Sequence, residues 1–471
     1  MSNQSPTPRR RILCFIDSDL AIRHFLLSGS LRQLFEHHDV TLVLPPVSHR
    51  RICCDIEKLA GLPSSMLLER VTIPPRRLTI WKQAFHHNQM RLRFGYGWWR
   101  LWVAWWTVLG WKAALMFSLG NLPIVVGIIK RRYAAELKRV PANELEVLLD
   151  RFRPELLLHP STFEGYFVND FAAQGAIRKI PTILLMNSWD NPSIKRATSG
   201  LPDWIGVWGK QTQRHTNHFM GVPLDRIAIL GAAQFEVYRT APRLTSNQFR
   251  HEHGMSNDGQ ILLYAGSSKG SLEASHLQWL NDAVAKGTLP KLHILYRPHP
   301  WGISQEEARA ILGNQWPHVF IDLSMRPFLE SICAGTNSGG FYMAEYARTH
   351  DILSCVDAVI SPLSTILLES ALHGLPVMCF FPREEDNIGN WRGLRKLVHF
   401  EDMFKSPAVL VADRYSDFLP KVKELIRRTE DTEFKSTITK EMQYFCEFHP
   451  KGYGTALLDL IDRAIDGKVS S

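Results

Sequence analysis

The chain has 471 residues, a length that favours two domains of roughly 200 residues each. Hydrophobic residues make up 45% of it and charged residues 21%, which excludes a largely disordered, collagen-like or fibrous protein. The formal net charge of +9 is unevenly placed, because residues 1–200 hold 27 lysines and arginines against 15 acidic residues. Such a basic half attracts polyanions, which include nucleic acid, anionic lipid headgroups and phosphorylated metabolites.

The N-terminal residues lead directly into the apolar run ILCFI, which predicts a buried strand. This run is too short for the core of a secretory signal, and it is followed by Asp17 and Asp19. The seven cysteines are odd in number, dispersed and without a C-x-x-C pair. This pattern predicts reduced thiols in the cytoplasm and argues against a disulfide scaffold or a zinc ribbon.

Short apolar runs then alternate with mixed stretches of helical length, which predicts an α/β fold of two doubly wound, Rossmann-like domains that face each other across a cleft. We expect an N-terminal domain at 1–240, a second domain at 241–440 and a C-terminal helix at 441–471. Residues 241–249 are rich in turn-forming residues and are the candidate linker. The strand candidates are 12–16, 40–44, 155–159, 182–186 and 204–208 in the first series, and 261–266, 292–300, 319–322, 356–361 and 376–382 in the second.

A tryptophan-rich segment at 81–132 interrupts the first series. Its charge-free run at 113–129 has 17 residues and is broken by Asn121, Leu122 and Pro123, which argues against a helix that spans a bilayer. Tryptophans flanked by arginines and lysines favour a peripheral site on the anionic cytoplasmic face of a membrane. The alternative is a pair of helices in the core of the first domain.

Three loops of the second series contain groups that bind phosphate. The first begins at Gly266 and continues with Ser267, Ser268 and Lys269, and the second contains Arg297 and His299 between prolines. Backbone amides, hydroxyls, a guanidinium and an imidazole are all donors to phosphate oxygens.

The third loop contains Ser364 and Thr365 at a predicted helix start, with Ser364 as the expected N-cap, and Glu369 follows on that helix within reach of a ribose diol. Each loop has an ordinary structural alternative: a plain turn, a helix cap, or a solvated helix face for Glu369. Three such loops at successive strand ends together predict a pocket for a nucleoside diphosphate. No G-x-G-x-x-G fingerprint and no metal-ligand spacing is present, so we expect no tightly bound cofactor and no metal.

Several stretches of the sequence resemble a known superfamily. The stretches YRPHP at 296–300 and VDAVISPLSTILLESALHGLPV at 356–377 resemble the donor half of GT-B glycosyltransferases. The stretches at 187–216 and 229–239 are similar to the branch that contains CDP-glycerol glycerophosphotransferases and bacterial surface-polysaccharide transferases. The resemblance implies a GT-B fold and a donor activated by UDP, GDP or CDP. It also implies that the C-terminal helix at 441–471 packs back on the first domain.

The resemblance also implies roles for individual residues. Arg297 and His299 match positions that hold the donor pyrophosphate, and Ser364 and Thr365 match the hydroxyl pair at the next helix start. Glu369 matches the acidic position associated with the donor sugar or ribose. Pro362 departs from the pattern, and the stereochemical outcome of the transfer is left open.

The general base of an inverting transfer is expected from the first domain. Its candidates are Asp17, Asp19 and His24 after the first strand, and His159 with Glu164 after the strand at 155–159. Each has a helix cap or a loop contact as its structural alternative. His159, Asp190 and Asn191 are expected to line the acceptor side of the cleft.

The sequence thus predicts a transferase that moves a sugar or a polyol phosphate to a lipid-linked or polysaccharide acceptor of the cell envelope. One alternative is a non-hydrolysing nucleotide-sugar 2-epimerase, and another is a sugar- or lipid-binding protein that has kept the fold. Nucleic acid is not an expected partner, because the aromatic residues cluster with aliphatic residues instead of following a basic groove.

Overall fold

The structure is a computed structural model of the chain. It describes residues 9–49, 66–75, 110–120, 122–161, 163, 165–194, 201–266, 271–336, 342–385 and 397–469, and the single residues 52, 54, 56, 59 and 106. These residues form two compact units. The first contains the described residues within 1–99, 112–236 and 445–471, and the second contains those within 100–111 and 237–444.

The first unit is built on a parallel sheet. Its described strands are β1 (Arg11–Phe15), β2 (Asp39–Leu44), β3 (Leu67–Arg70), β4 (Leu156–Ser161), β5 (Thr182–Met186), β6 (Trp204–Val207) and β7 (Ile227–Ile229). They lie in the order β3-β2-β1-β4-β5-β6-β7. The central strands β4 and β5 are buried at every position, as expected of a parallel sheet with helices on both faces.

The second unit is built on another parallel sheet. Its described strands are β8 (Gln260–Ala265), β9 (Leu292–Arg297), β10 (Val319–Ile321), β11 (Ala358–Ser361), β12 (Val377–Phe380) and β13 (Val409–Ala412). The order is β10-β9-β8-β11-β12-β13, which places β9 and β11 on either side of β8. Alternate side chains of β8 and β9, among them Leu262, Tyr264 and Ile294, enter one buried cluster with the helices.

Helices connect these strands. In chain order the described α-helices are α1 (Asp19–Ala21), α2 (Arg32–His37), α3 (Trp111–Gly120), α4 (Pro123–Arg139), α5 (Asn143–Phe152), α6 (Val168–Arg178), α7 (Asn191–Ile194), α8 (Lys210–His215), α9 (Ser246–Glu252), α10 (Glu273–Ala285), α11 (Gln305–Gly313), α12 (Arg326–Ala334), α13 (Tyr346–Cys355), α14 (Ile366–Leu372), α15 (Val398–Lys405), α16 (Tyr415–Arg427), α17 (Thr432–Met442) and α18 (Tyr453–Val469). Two π-helical turns lie at Ile22–Leu26 and Thr216–Met220, and 3₁₀ turns at Leu224–Arg226, Ala233–Arg239 and Arg428–Glu430.

The C-terminal helix α18 packs on the first unit. The ring of Tyr453 lies 6.4 Å from that of Phe25, and the Thr455 hydroxyl donates a hydrogen bond to the Gln33 side chain over 3.2 Å. A Cβ on Gly454 would lie only 2.7 Å from Oε1 of Gln33, so the absence of a side chain at this position permits the close approach.

The two parallel sheets and the α/β class predicted from the sequence are confirmed. The sequence analysis missed β3, β7 and β13, and all three are edge strands. An edge strand is covered on fewer sides and is often short. Its run of apolar residues is therefore shorter and harder to recognise in the sequence than that of a central strand. Residues 241–249 also contain the start of α9, where Thr245 and Gln248 form a capping box.

Of the tryptophan-rich segment, the structure describes Trp106 and residues 110–120 and 122–132. The predicted break is confirmed, because α3 ends at Gly120 and α4 begins at Pro123, a residue suited to the first turn of a helix. Among the described parts of the chain, no helix combines the length and the apolar character needed to cross a bilayer.

Candidate functional site

The carboxyl ends of three neighbouring strands of the second unit lie level with one another. Ala265 of β8 pairs with Arg297 of β9, and Ile360 of β11 pairs with Tyr264, so that Ser361 follows beside Ala265. Adjacent strands of a sheet are about 4.8 Å apart. The three loops that the sequence analysis singled out therefore leave the same edge of the sheet side by side.

The first loop begins at Gly266, whose N–H donates a hydrogen bond to the carbonyl of Arg297 over 2.8 Å. A Cβ at this position would lie 2.5 Å from Oε2 of Glu273, so the carboxylate of Glu273 occupies the space that any other residue would need. Ser267, Ser268 and Lys269 lie outside the described residues.

A buried polar network holds the far end of this loop. The Tyr296 hydroxyl donates to Glu273 over 2.7 Å, and the Leu272 N–H donates to Glu385 over 3.2 Å. The imidazole of His276 bridges Glu385 (2.5 Å) and the Tyr264 hydroxyl (2.7 Å). Burial, with the nearby charge of Glu273, raises the pKa of the Tyr264 and Tyr296 phenols, which therefore remain hydrogen-bond donors.

Arg297 is buried, and its guanidinium forms an ion pair with the fully buried carboxylate of Asp322. The same guanidinium donates to the Thr349 hydroxyl over 3.2 Å and to Ser324 over 3.5 Å. The guanidinium of Arg297, which was expected to bind a phosphate, is thus already neutralised by the carboxylate of Asp322 in the same unit. The sequence analysis did not identify Asp322, because its position after β10 becomes meaningful only when β10 is placed beside β9.

His299 is half-buried two residues beyond the end of β9. Its Nδ1 accepts a hydrogen bond from the N–H of Trp301 over 3.1 Å. A neutral imidazole that accepts at Nδ1 carries its hydrogen on Nε2. The loop therefore fixes the tautomer in which Nε2 is a donor, which is the form that suits a phosphate oxygen.

The third loop differs from the prediction in its helix start. Ser364 was expected to be the N-cap, but α14 begins at Ile366 and its N-cap is Thr365, whose side chain makes no capping hydrogen bond. The carbonyl of Thr365 accepts the first i→i+4 hydrogen bond, from the N–H of Glu369 over 3.1 Å, whereas the carbonyl of Ser364 accepts an i→i+3 bond from Leu367 over 3.2 Å. Ser361, at the end of β11, has a buried hydroxyl without a hydrogen-bond partner among the described residues.

Glu369 lies on α14 and is 8% exposed, so it does not occupy a solvated helix face. Its carboxylate accepts a hydrogen bond from the Tyr238 hydroxyl over 2.5 Å. Tyr238 also contacts two histidines, with ring centroids 5.5 Å from His350 and 4.4 Å from His373. Neither histidine was singled out in the sequence, since 23 residues separate them along the chain.

In the first unit, His159 does not line a surface, contrary to the prediction. It is fully buried among the rings of Phe15, Phe167 and Phe171, and its Nδ1 donates to the carbonyl of Phe15 over 2.8 Å. Burial lowers the pKa of His159, so this ring is neutral. Its Nε2 lies 3.7 Å from Asp17 and has no hydrogen-bond partner among the described residues.

His24 lies in the π-helical turn at Ile22–Leu26, close to the end of β1. Its Nδ1 contacts the carbonyl of Asn187, at the end of β5, over 3.0 Å. A carbonyl only accepts, so Nδ1 carries the hydrogen and Nε2 of the neutral ring has the basic lone pair. π-Helical turns often occur at functional sites.

The other first-unit candidates have different surroundings. Asp19 is buried and accepts the Cys54 N–H over 3.0 Å, and Glu164 lies outside the described residues. Asn191 is fully buried, and its Oδ1 accepts the N–H groups of Asn187 (3.2 Å) and Ser188 (2.9 Å). This contradicts its expected place on an open acceptor surface, because the side chain closes the turn after β5.

Asp190 is half-buried and accepts the Asn191 amide over 3.1 Å. The sequence analysis missed Asn187, whose side-chain oxygen and nitrogen are both buried without a hydrogen-bond partner among the described residues. An unsatisfied buried amide costs free energy and calls for an explanation. Asn187 follows the apolar run of β5, and this position at a strand end is the signal that could have identified it.

Comparisons with solved structures show the fold. No protein-family model matches the sequence, and no curated protein matches it. The chain is similar to a putative UDP-N-acetylglucosamine 2-epimerase from Listeria monocytogenes, with a TM-score of 0.54, 11% identity and 98% of each chain covered. It is also similar to the UDP-GlcNAc 2-epimerase from Neisseria meningitidis bound to UDP-GlcNAc, with a TM-score of 0.54 and 11% identity over 97% of this chain and 100% of that one.

A third similar structure is the glycotransferase of kitacinnamycin, with a TM-score of 0.50 and 12% identity over 98% of this chain and 100% of that one. At these identities the likeness concerns the fold alone. The chain has the GT-B fold of two Rossmann-like units, as the resemblance implied.

Proposed function

We propose that the protein is a GT-B transferase that takes a sugar or a polyol phosphate from a nucleotide-activated donor. The observation that carries this proposal is the level alignment of the loops after β8, β9 and β11, with the Nε2 donor of His299 fixed by Trp301. The glycotransferase named among the similar structures supports the reaction class.

The second unit binds the donor in this proposal. His299 donates to an oxygen of the diphosphate, together with backbone amides and hydroxyls of the loops that follow Gly266 and Ser361. Arg297, paired with Asp322, anchors the end of β9 instead of providing a full positive charge to the phosphate. Ser267, Ser268, Lys269, Ser364 and Thr365 remain proposed donor ligands, and Glu369 with Tyr238 is proposed to bind the ribose diol.

The first unit supplies the general base, for which His24 is the proposed residue. The acceptor hydroxyl oxygen forms a bond to the donor atom that carries the leaving phosphate, and its proton passes to Nε2 of His24. The bond from that donor atom to the phosphate oxygen breaks, and the nucleotide leaves with the electron pair. Asp19 and Glu164 are alternative bases, and Asp190 is a proposed acceptor contact.

The acceptor is proposed to be lipid-linked, with the protein bound to an anionic membrane surface in the cytoplasm. Leu115 and Leu119 are exposed one turn apart on α3, and Ile124 and Ile128 are exposed one turn apart on α4. Basic side chains flank these apolar residues at positions that are also exposed, namely Lys112, Arg131 and Arg132. Exposed apolar residues flanked by cations are typical of helices that lie in the headgroup layer of an anionic bilayer.

A second candidate is a nucleotide-sugar 2-epimerase, which the names of the Listeria and Neisseria structures favour. It would use the same donor loops but no acceptor. An NMR time course of a nucleotide sugar with the protein alone distinguishes the two reactions, since only an epimerase converts the donor into its 2-epimer without a second substrate.

Thermal-shift measurements with UDP, GDP, CDP and CMP test donor binding. A nucleotide that binds the folded chain raises its stability by about 2.7 kcal/mol at a concentration one hundred times Kd. We expect His299→Ala to abolish this stabilisation. The matched control is His318→Ala. His318 is also half-buried, but it precedes β10 and therefore lies at the amino ends of the strands, away from the loops that follow their carboxyl ends. Stabilisation by none of the four nucleotides, or equal stabilisation of both variants, would refute the proposal.

A further inference from the structure

Three hydrogen bonds in a row join two histidines to two backbone carbonyls in the second unit. His350 Nε2 lies 2.9 Å from the carbonyl oxygen of Thr240, and His350 Nδ1 lies 2.9 Å from His373 Nε2. His373 Nδ1 lies 2.8 Å from the carbonyl oxygen of Glu369. All four ring nitrogens are therefore engaged.

A count of hydrogens decides the charge of this pair. A carbonyl oxygen only accepts, so His350 Nε2 and His373 Nδ1 must each carry a hydrogen. The contact between the rings needs a third hydrogen, because two bare nitrogens 2.9 Å apart would place one lone pair against another. Two neutral imidazoles hold only two hydrogens between them.

We propose that His350 and His373 hold one proton in excess, with His350 as the imidazolium, and that this charged pair positions Glu369 and Tyr238. The proton is assigned to His350 because burial lowers the pKa of His373, so that His373 is the neutral partner of the pair.

Positioning follows from the two groups that the pair touches. His373 donates a hydrogen bond to the backbone carbonyl of Glu369, and the rings of Tyr238 and His373 form a T-shaped contact with centroids 4.4 Å apart. The hydroxyl of that same tyrosine donates to the Glu369 carboxylate. Loss of the shared proton would break the hydrogen bond between the two imidazoles and would free the side chains of Glu369 and Tyr238 to move.

Among the residues that the structure describes, the charged groups around the pair do not supply a carboxylate partner for His350. On α13, the neighbouring Asp351 is bound to Arg243 over 2.8 Å, and the Ser354 hydroxyl lies 3.4 Å from Nδ1 of His350. Helix α9 contributes Glu252, which is paired with Arg348, and helix α17 brings Lys435 against the turn at Gly374. On α14, Glu369 faces Tyr238.

The protonation state is tested first, by nitrogen NMR of the full chain labelled with ¹⁵N in its histidine rings. We expect both nitrogens of His350 to give protonated-type shifts above pH 7, while His373 shows one protonated and one bare nitrogen. A bare nitrogen on His350 would overturn the proposal. The two signals are assigned by their loss in His350→Gln and His373→Gln and by their contacts with the Tyr238 ring, so the wild-type spectrum decides the question even where a variant fails to fold.

A linkage measurement provides a second, independent test. An unfolded histidine loses its proton at a pH of about 6.5. Above that value the folded wild type holds one proton more than the unfolded chain, so its folding constant falls by about tenfold per pH unit relative to His350→Gln until the pair titrates. Parallel curves for wild type and His350→Gln above pH 7 would contradict the proposal.

The effect on donor binding rests on the proposed function, whereas the charge of the pair does not. We expect the nucleotide affinity of the wild type to fall as the pH rises and the pair loses its proton. The affinity of His350→Gln should be weaker than that of the wild type and should not change over this pH range. A charged pair in a protein that binds no nucleotide would refute the proposed function alone. Nucleotide binding with a neutral pair would refute the inference alone.

Discussion

Arg297 and Asp322 form an ion pair inside the second unit, with 7% and 0% of their side-chain surfaces exposed. This pair joins the end of β9, two residues before His299, to the residue that follows β10. Two charges removed from water depend on each other, since either one left alone keeps its desolvation cost.

Asp322→Asn is therefore expected to destabilise the protein strongly. Removal of one partner of a buried ion pair costs about 3–5 kcal/mol, because the remaining guanidinium stays buried without a countercharge. Chemical denaturation monitored by circular dichroism measures the loss. The control is Glu330→Gln, whose carboxylate is 54% exposed and 3.8 Å from Arg326, and which should change the free energy of unfolding by less than about 1 kcal/mol. Equal effects of the two variants would contradict the assignment.

Gly266→Ala tests the close approach of Glu273 to the first loop. The new Cβ would lie 2.5 Å from Oε2 of Glu273 and displace a carboxylate that is itself held by Tyr296. Overpacking of this kind costs about 1–3 kcal/mol. Gly313→Ala is the matched control, since no atom lies within 4 Å of its Cβ position at the end of α11, and the change should be neutral or stabilising. Thermal unfolding of both variants gives the comparison, and a neutral Gly266→Ala would refute the argument.

The stability of the protein is expected to fall in mild acid because of His373. Burial, together with the nearby His350, lowers the pKa of His373 to about 4. Between about pH 6.5 and 4 the unfolded chain binds a proton that the folded ring does not, so stability present above pH 6.5 is lost as the pH falls. The shift corresponds to a loss of about 3 kcal/mol.

His373→Gln should flatten this part of the curve of unfolding free energy against pH. The measurement is denaturant unfolding at a series of pH values from 4 to 7. A His373→Gln curve with the wild-type slope would show that His373 is not the group responsible.

Ile124→Glu is expected to weaken binding to vesicles that contain anionic lipid. Ile124 is 79% exposed at the start of α4, and a carboxylate there would oppose both insertion and the attraction of the basic side chains. Ile177→Glu is the control, since Ile177 is 73% exposed on α6 away from this segment. Co-sedimentation with anionic and with zwitterionic vesicles measures both. Equal binding by the two variants, or no preference for the anionic vesicles, would refute the membrane proposal.

The α/β class, the two parallel sheets and the positions of the central strands could be predicted from the residues alone. Central strands are buried on both faces, so they appear as continuous apolar runs such as β5 and β8, and the polar residues after them mark the strand ends. This local signal was sufficient to locate Gly266 and Arg297, which the structure places level with the end of β11 at one edge of the sheet.

Which of these side chains already have a partner is visible only in the folded chain. Asp322 neutralises Arg297, Phe15 and two other rings bury His159, and Asn191 closes its own turn. The fold also places His350 within hydrogen-bond distance of His373, and the ring of Tyr238 contacts both histidines. These contacts join residues far apart along the chain, and a hydrogen bond or an ion pair depends on distances of a few tenths of an ångström, which residue type and spacing do not specify.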